Sequence, residues 1–165
     1  MFQIRNLISK DRHKIIEQID EVSFCDGFGI LNSPVARPRN PVTFQGAMWA
    51  SDNDAYTYWM HSQPYNPLPL LKCLAKWQAY SDTCLFVNAP DVIADFDATV
   101  RNFWYWQPLI KVYGFKVAFT VQNGYRHNWQ VLELCLSYAD ALFIGCTNSE
   151  KYHPRMWDVV KLAKE

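Results

Sequence analysis

Cys84-Leu-Phe-Val-Asn-Ala-Pro-Asp-Val-Ile-Ala-Asp95 decides how this chain is read. It opens as a continuous apolar run from Cys84 to Val87, rich in branched and aromatic side chains. That is the pattern of a strand buried on both faces. Pro90 has no N–H to donate, so the strand ends near Asn88. Two acids follow, Asp91 and Asp95, and then a long helical pattern begins. An acid just past the carboxyl end of a buried parallel strand stands where α/β folds place their chemistry.

The same alternation continues on both sides. Upstream, Leu70, Leu71, Leu74 and Trp77 recur at helical spacing and predict a helix over 67–80. Downstream, Asp95 is placed to cap a helix over 96–113, with Phe96, Val100, Phe103 and Trp104 on one face. Pro108 is expected to bend or break that helix, and Gly114 suits its end. Strands follow at 116–121 and 141–144, separated by a helix over 128–138 with Trp129, Leu132 and Leu136 inward. A last helix covers 154–164. Helices and strands alternating at this spacing mean βαβ units and a parallel sheet.

Before residue 67 the signals are weaker. Residues 10–21 read as a short amphipathic helix carrying Ile15, Ile16 and Ile19. Short strands are expected at 28–32 and 47–50. Between them, Ser33 to Gly46 is a Pro-rich loop holding Arg37 and Arg39, which reads either as a solvated loop or as a phosphate contact. Ser51-Asp-Asn-Asp-Ala-Tyr56 is a polar cluster that could be an Asx turn, an N-cap or part of a site.

Composition narrows the classes. With 50% hydrophobic and 19% charged residues over 165 positions, the chain suits one folded domain, 1–165, and not a disordered segment. Sixteen basic residues balance sixteen acidic ones, so no general attraction to nucleic acid is implied. Five cysteines without a CxxC pair fit neither a disulfide framework nor a zinc site, and point to a reducing cytoplasm. Early charges and the lack of a long apolar run argue against a signal peptide, and no stretch approaches the ~18 apolar residues of a membrane span. The four histidines are dispersed and have no metal partner at i+3 or i+4. No dinucleotide or P-loop glycine motif is present.

Three strands end on polar or small residues: Asn88/Asp91, Gln122-Asn123-Gly124 and Gly145. The loop after the 47–50 strand adds Asp52. In a parallel sheet these ends share one edge, so the residues converge without a local motif. A carboxylate, an amide and a bare backbone suit a heterocyclic base: Asp accepts from N–H groups, Gln donates and accepts, and Gly admits a flat ring. Helix caps at Asp91 and Asp95 and a turn at 122–124 are the local alternatives.

Phe86-Val-Asn-Ala-Pro-Asp-Val-Ile-Ala-Asp95, Gly114-Phe-Lys-Val-Ala-Phe-Thr-Val-Gln-Asn-Gly124 and Asp140-Ala-Leu-Phe-Ile-Gly145 together resemble the tRNA-guanine transglycosylase superfamily. The nearest branch by pattern is that of the deazapurine DNA-modification transglycosylases of phages and bacteria. Trp49-Ala-Ser-Asp-Asn-Asp-Ala-Tyr56 resembles that branch's form of the family's Asp-Ser-Gly-(Gly/Ala)-Phe motif. The resemblance implies a TIM-type (β/α)8 barrel and exchange of guanine for a 7-deazaguanine base in DNA, or in tRNA, with no cofactor. It implies Asp52 as the catalytic aspartate, and Asp91, Gln122 and Gly145 as base-binding residues. The sequence departs from the pattern in Asp54, where the family has Gly, and in Asn123, inserted between Gln and Gly.

A complete barrel needs more than ~200 residues. The expectation is therefore a partial barrel with about half the strands, ending before the family's nucleophilic Asp and its zinc site. Such a chain would be a base-binding remnant, a homodimer, or one half of a split enzyme completed by another polypeptide. An unrelated α/β hydrolase or phosphate-handling enzyme using the same acids is the remaining alternative.

Overall fold

The computed structural model describes residues 6–8, 28–35 and 48–164. The helix expected over 10–21, and Arg37 and Arg39, lie outside the described residues.

Six strands form one all-parallel sheet in sequential order. They are β1 (Asn6–Ile8), β2 (Phe28–Asn32), β3 (Trp49–Ser51), β4 (Cys84–Asn88), β5 (Val117–Val121) and β6 (Ala141–Ile144). The helices are α1 (Ala55–Met60), α2 (Leu68–Trp77), α3 (Phe96–Val112), α4 (Trp129–Tyr138), α5 (Asn148–Lys151) and α6 (Arg155–Leu162). Every crossover steps to the next strand in the same direction. A doubly wound sheet reverses its order at a switch point, and this sheet does not. The sequential order is compatible with a partial α/β barrel, and among the described residues β1 and β6 are not paired with each other.

β4, expected from its apolar run, has the anticipated limits, as does β2. The five strands expected from the sequence are all present, and β1 adds a sixth. β1 escaped notice because three residues carry no measurable period. The short helices α1 and α5, of 6 and 4 residues, were missed for the same reason.

The core lies between the sheet and its helices. Along β5 every residue is buried. Phe119 meets Phe103 and Phe96 of α3 edge-on, at centroid separations of 5.0 and 6.1 Å. Trp49 of β3 packs edge-on against Trp77 of α2 at 5.5 Å, and its indole N–H donates to Thr83 Oγ1 at 3.1 Å. Trp49, Trp77 and Trp106 are therefore core residues, as the aromatic content suggested, but Trp59 and Trp157 are exposed. Cys73, Cys84, Cys135 and Cys146 are buried free thiols.

Helix α3 starts as expected: Asp95 Oδ1 accepts from the Ala98 N–H at 2.9 Å. Its buried stripe is Phe96, Thr99, Phe103, Trp106 and Ile110, with Val100 and Trp104 at its margin. The helix continues through Pro108, which was expected to bend or break it. Burial of Phe103, Trp106 and Ile110 on either side of the proline offsets the one lost backbone bond. Gly114 follows with φ +82°, the left-handed conformation that ends a helix readily at glycine.

Truncating Phe119→Ala should cost about 3–5 kcal/mol in chemical denaturation, since its ring has no room to be replaced by collapse. Asp95→Ala should cost about 1 kcal/mol, the usual loss for an N-cap.

Candidate functional site at the carboxyl edge of the sheet

The loops after β2 to β6 are joined at the carboxyl edge by one hydrogen-bonded network. It begins where β3 runs out. The Asp52 N–H still donates to Asn32 O at 2.8 Å, continuing the ladder to β2. The chain then turns sharply into α1. Asn53 Oδ1 accepts from the Ala55 N–H at 2.7 Å, an Asx turn. Asp54 follows at φ 62°. Positive φ is the conformation that glycine adopts most freely. Asp is among the few side chains that tolerate this region. Here the carboxylate is held from outside: it accepts from Ser33 Oγ at 2.6 Å and from the Val35 N–H at 2.8 Å.

Asn53 links strands as well as turning the chain. Its Nδ2 donates to Ala89 O and to Asp91 Oδ1, both at 2.8 Å. The other oxygen of Asp91, Oδ2, accepts a short hydrogen bond from Gln122 Nε2. Gln122 Oε1 in turn accepts from the Ala94 N–H at 3.0 Å. Ala94 has φ 62°, a strained conformation for a side chain with a Cβ. The loop 91–95 is thus pinned from two sides. Thr99 adds a third tie, accepting from the Val92 N–H at 2.9 Å.

Gly145 completes the arrangement. Its N–H donates to Val121 O at 3.0 Å. A Cβ there would stand 2.5 Å from Gln122 Nε2 and 2.6 Å from Thr120 Cγ2. Only glycine lets the β6 end sit directly against Gln122. Asn123 ties the β5 and β6 loops together. Its Oδ1 accepts from the Thr147 N–H at 3.0 Å, and its Nδ2 donates to Thr147 Oγ1 at 3.1 Å.

All four residues singled out in the sequence, Asp52, Asp91, Gln122 and Gly145, lie in this cluster. Asp91 and Gln122 touch directly, and Gly145 abuts Gln122. Asp52 is linked through Asn88, whose Nδ2 reaches Asp52 Oδ1 at 3.5 Å. Asp95 stands apart as a helix cap.

Burial dominates the electrostatics. It raises the Asp52 carboxyl from 3.8 to about 6, with help from the negative charge of Asp54. The Asn53 N–H, donating to Asp52 Oδ1 at 2.8 Å, and the Asn88 amide pull the other way. Asp91 is also raised by burial, against the opposing hydrogen bonds from Asn53 and Gln122. The site therefore offers one carboxyl poised near neutrality and another clasped between two amides. Such a pair can exchange a proton and can read a row of N–H donors.

Local sequence reading missed the residues that connect the strands. Asn53 was noticed only as a turn former. Asn88 was noted as a strand end without a partner. Tyr65 gave no signal; its hydroxyl is buried without a partner among the described residues, and burial together with Asp54 holds its phenol above the ordinary range. Of the histidines near the site, His127 is exposed. His153 Nε2 lies 3.1 Å from Arg126, which pairs with Glu150 at 2.6 Å. Cys146 is a small buried residue whose thiol donates to Val121 O at 3.2 Å. Among the described residues, no three His, Cys, Asp or Glu side chains are grouped to hold a metal ion, and no helix is long and apolar enough to cross a membrane.

No protein-family model, curated protein or solved structure matches the chain.

The raised folded-state pKa of Asp52 has a defined consequence for stability. Ionising Asp52 is harder in the folded state, so folding loses stability as pH rises from about 4 through about 6. Asp52→Asn should therefore stabilise the protein by up to about 3 kcal/mol at pH 8 and by little at pH 4, measured by urea denaturation at both. Gly145→Ala should destabilise by about 1–3 kcal/mol, because the new Cβ would meet the Thr120 methyl, on a side chain branched at Cβ and stiff at χ1.

Proposed function

We propose that the strand-end cluster is a purine-base pocket, and that the protein is a transglycosylase-like enzyme exchanging guanine for a 7-deazaguanine base in DNA, or in tRNA. The observation that carries this reading is Asp91, held between the Asn53 and Gln122 amides beside the poised Asp52 carboxyl. Guanine presents a ring N–H and an exocyclic amine side by side, with a carbonyl next to them. A fixed carboxylate accepts from the two donors, and a neighbouring glutamine donates to the carbonyl. Each Asp91 oxygen has a second lone-pair direction beyond its present partner.

Base exchange needs a group that changes protonation near neutral pH. As the C1′–N9 bond breaks, the departing guanine takes up a proton. The incoming base must lose its N9 proton to form the new bond. Asp52, at about 6, can supply the first and accept the second. Under this reading the sheet winding belongs to a (β/α)8 barrel, and β6, partly exposed along its whole length, is the edge that further strands would extend.

Isothermal titration with guanine and 7-cyano-7-deazaguanine tests the pocket. Both should bind, and Asp91→Asn should weaken each about tenfold or more. Titrations showing no heat with either base would end the reading. Incorporation of labelled guanine into DNA then separates enzyme from binder: Asp52→Asn should abolish exchange while base binding persists.

A further inference from the structure

We infer that the turn after α5 and the outer side of α6 form a docking strip for single-stranded nucleic acid, with Tyr152 and Trp157 stacking on bases and Lys151, Arg155, Lys161 and Lys164 meeting phosphates. The strip lies outside the acid cluster, and the inference does not rest on the base-pocket reading. Tyr152 is 84% exposed and Trp157 71%. The fold uses neither ring. Helix α6 is seated on the core through Met156 and Val159, both buried. Trp157 and Lys161, four residues apart, share its opposite side.

The charges around the two rings are one-sided. Lys151, Arg155, Lys161 and Lys164 are all exposed, and none is in an ion pair among the described residues. Over 151–164 these four cations meet a single acid, Asp158, in a chain whose charges balance overall.

The strip is also preformed. The Tyr152 N–H donates to Asn148 O at 3.1 Å, and the Trp157 N–H to Pro154 O at 3.1 Å. The Arg155 N–H donates to His153 Nδ1 at 3.2 Å. The other ring nitrogen of His153 lies 3.1 Å from Arg126, which ties the turn to the loop that follows Gln122. Ring faces fixed in advance lose little freedom on binding.

Three kinds of partner bury exposed aromatics, and two fit poorly. The core of a protein interface is depleted in Lys, whereas three of these four cations are Lys. A helix lying in a membrane surface needs a free apolar face, and that of α6 is buried in the core. Nucleic acid suits both features, because phosphates pair with Lys and Arg while bases stack on Tyr and Trp. Duplex bases are already stacked on one another, so open ring faces favour an unpaired strand.

Fluorescence anisotropy of the whole protein with a labelled oligothymidylate of about 20 nucleotides tests the strip. That strand carries no guanine, so its binding is separate from the base pocket. It should bind at about 50 mM salt and weaken about 50-fold at about 200 mM, the counterion release of four contacts. Trp157→Ala should weaken binding about fivefold or more with the salt dependence unchanged. Lys161→Ala should make the salt dependence shallower, and it remains informative if Trp157→Ala loses the fold. No binding of the oligothymidylate, equal affinity for a duplex of the same length, or unaltered affinity in Trp157→Ala overturns the inference and leaves the base pocket standing. Binding to phosphatidylserine vesicles, or dimerisation, that is lost in Trp157→Ala assigns the strip to a membrane or to a second copy instead. Oligothymidylate binding without any response to guanine supports the strip and removes the pocket.

Discussion

The carboxylate of Asp91 is clasped between two amides that come from different strands. Asn53 reaches it from the end of β3 and Gln122 from the end of β5. The rest of the edge depends on this clasp. Asn53 also holds Ala89 O and starts the turn into α1. Gln122 also holds the Ala94 N–H and rests against Gly145. Four successive strand ends are therefore coupled through one acid. Loss of either amide would leave a buried charge short of a partner, which is costlier than the loss of a single neutral bond.

The arrangement concentrates negative charge where water is scarce. Burial first, and then the nearby charges of Asp54 and Asp91, raise the pKa of Asp52. Asp54 relieves its own charge through Ser33 and the Val35 N–H, at the cost of a left-handed backbone. Ala94, left-handed without a polar side chain to compensate, is a second place where strain is held. Strained backbone and desolvated acids thus lie together at this edge. The two amides oppose, without cancelling, the upward push of burial on the Asp91 carboxyl, while burial raises Asp52 to about 6.

Much of this was legible from the chain. Cys84–Val87 and Val117–Val121 are apolar runs too short for helices and too continuous for exposed strands, so their burial in a parallel sheet followed directly. Asp52, Asp91, Gln122 and Gly145 could be picked out because parallel strands put their carboxyl ends on one edge. Asp95 as a cap and Gly114 as a helix end were equally local. What could not be read was partnership. The link from Asn53 to Asp91 spans 38 positions, and that from Gln122 to Asp91 spans 31. Neither leaves a spacing signal. β1, at three residues, falls below the length at which periodicity speaks.

The sequence by itself determined the alternation of strand and helix, the parallel sense of the sheet and the residue types at its edge. These follow from periodicity, proline and glycine, which act over a few residues. The tertiary structure alone decided that the strands wind in sequential order without reversal, that Asp54 occupies a glycine-like backbone position, and that Asn53 and Gln122 meet on Asp91. Those outcomes depend on which strands become neighbours and how closely their ends approach. Neighbour choice is set by packing of the whole sheet against its helices, a non-local sum that no single stretch encodes.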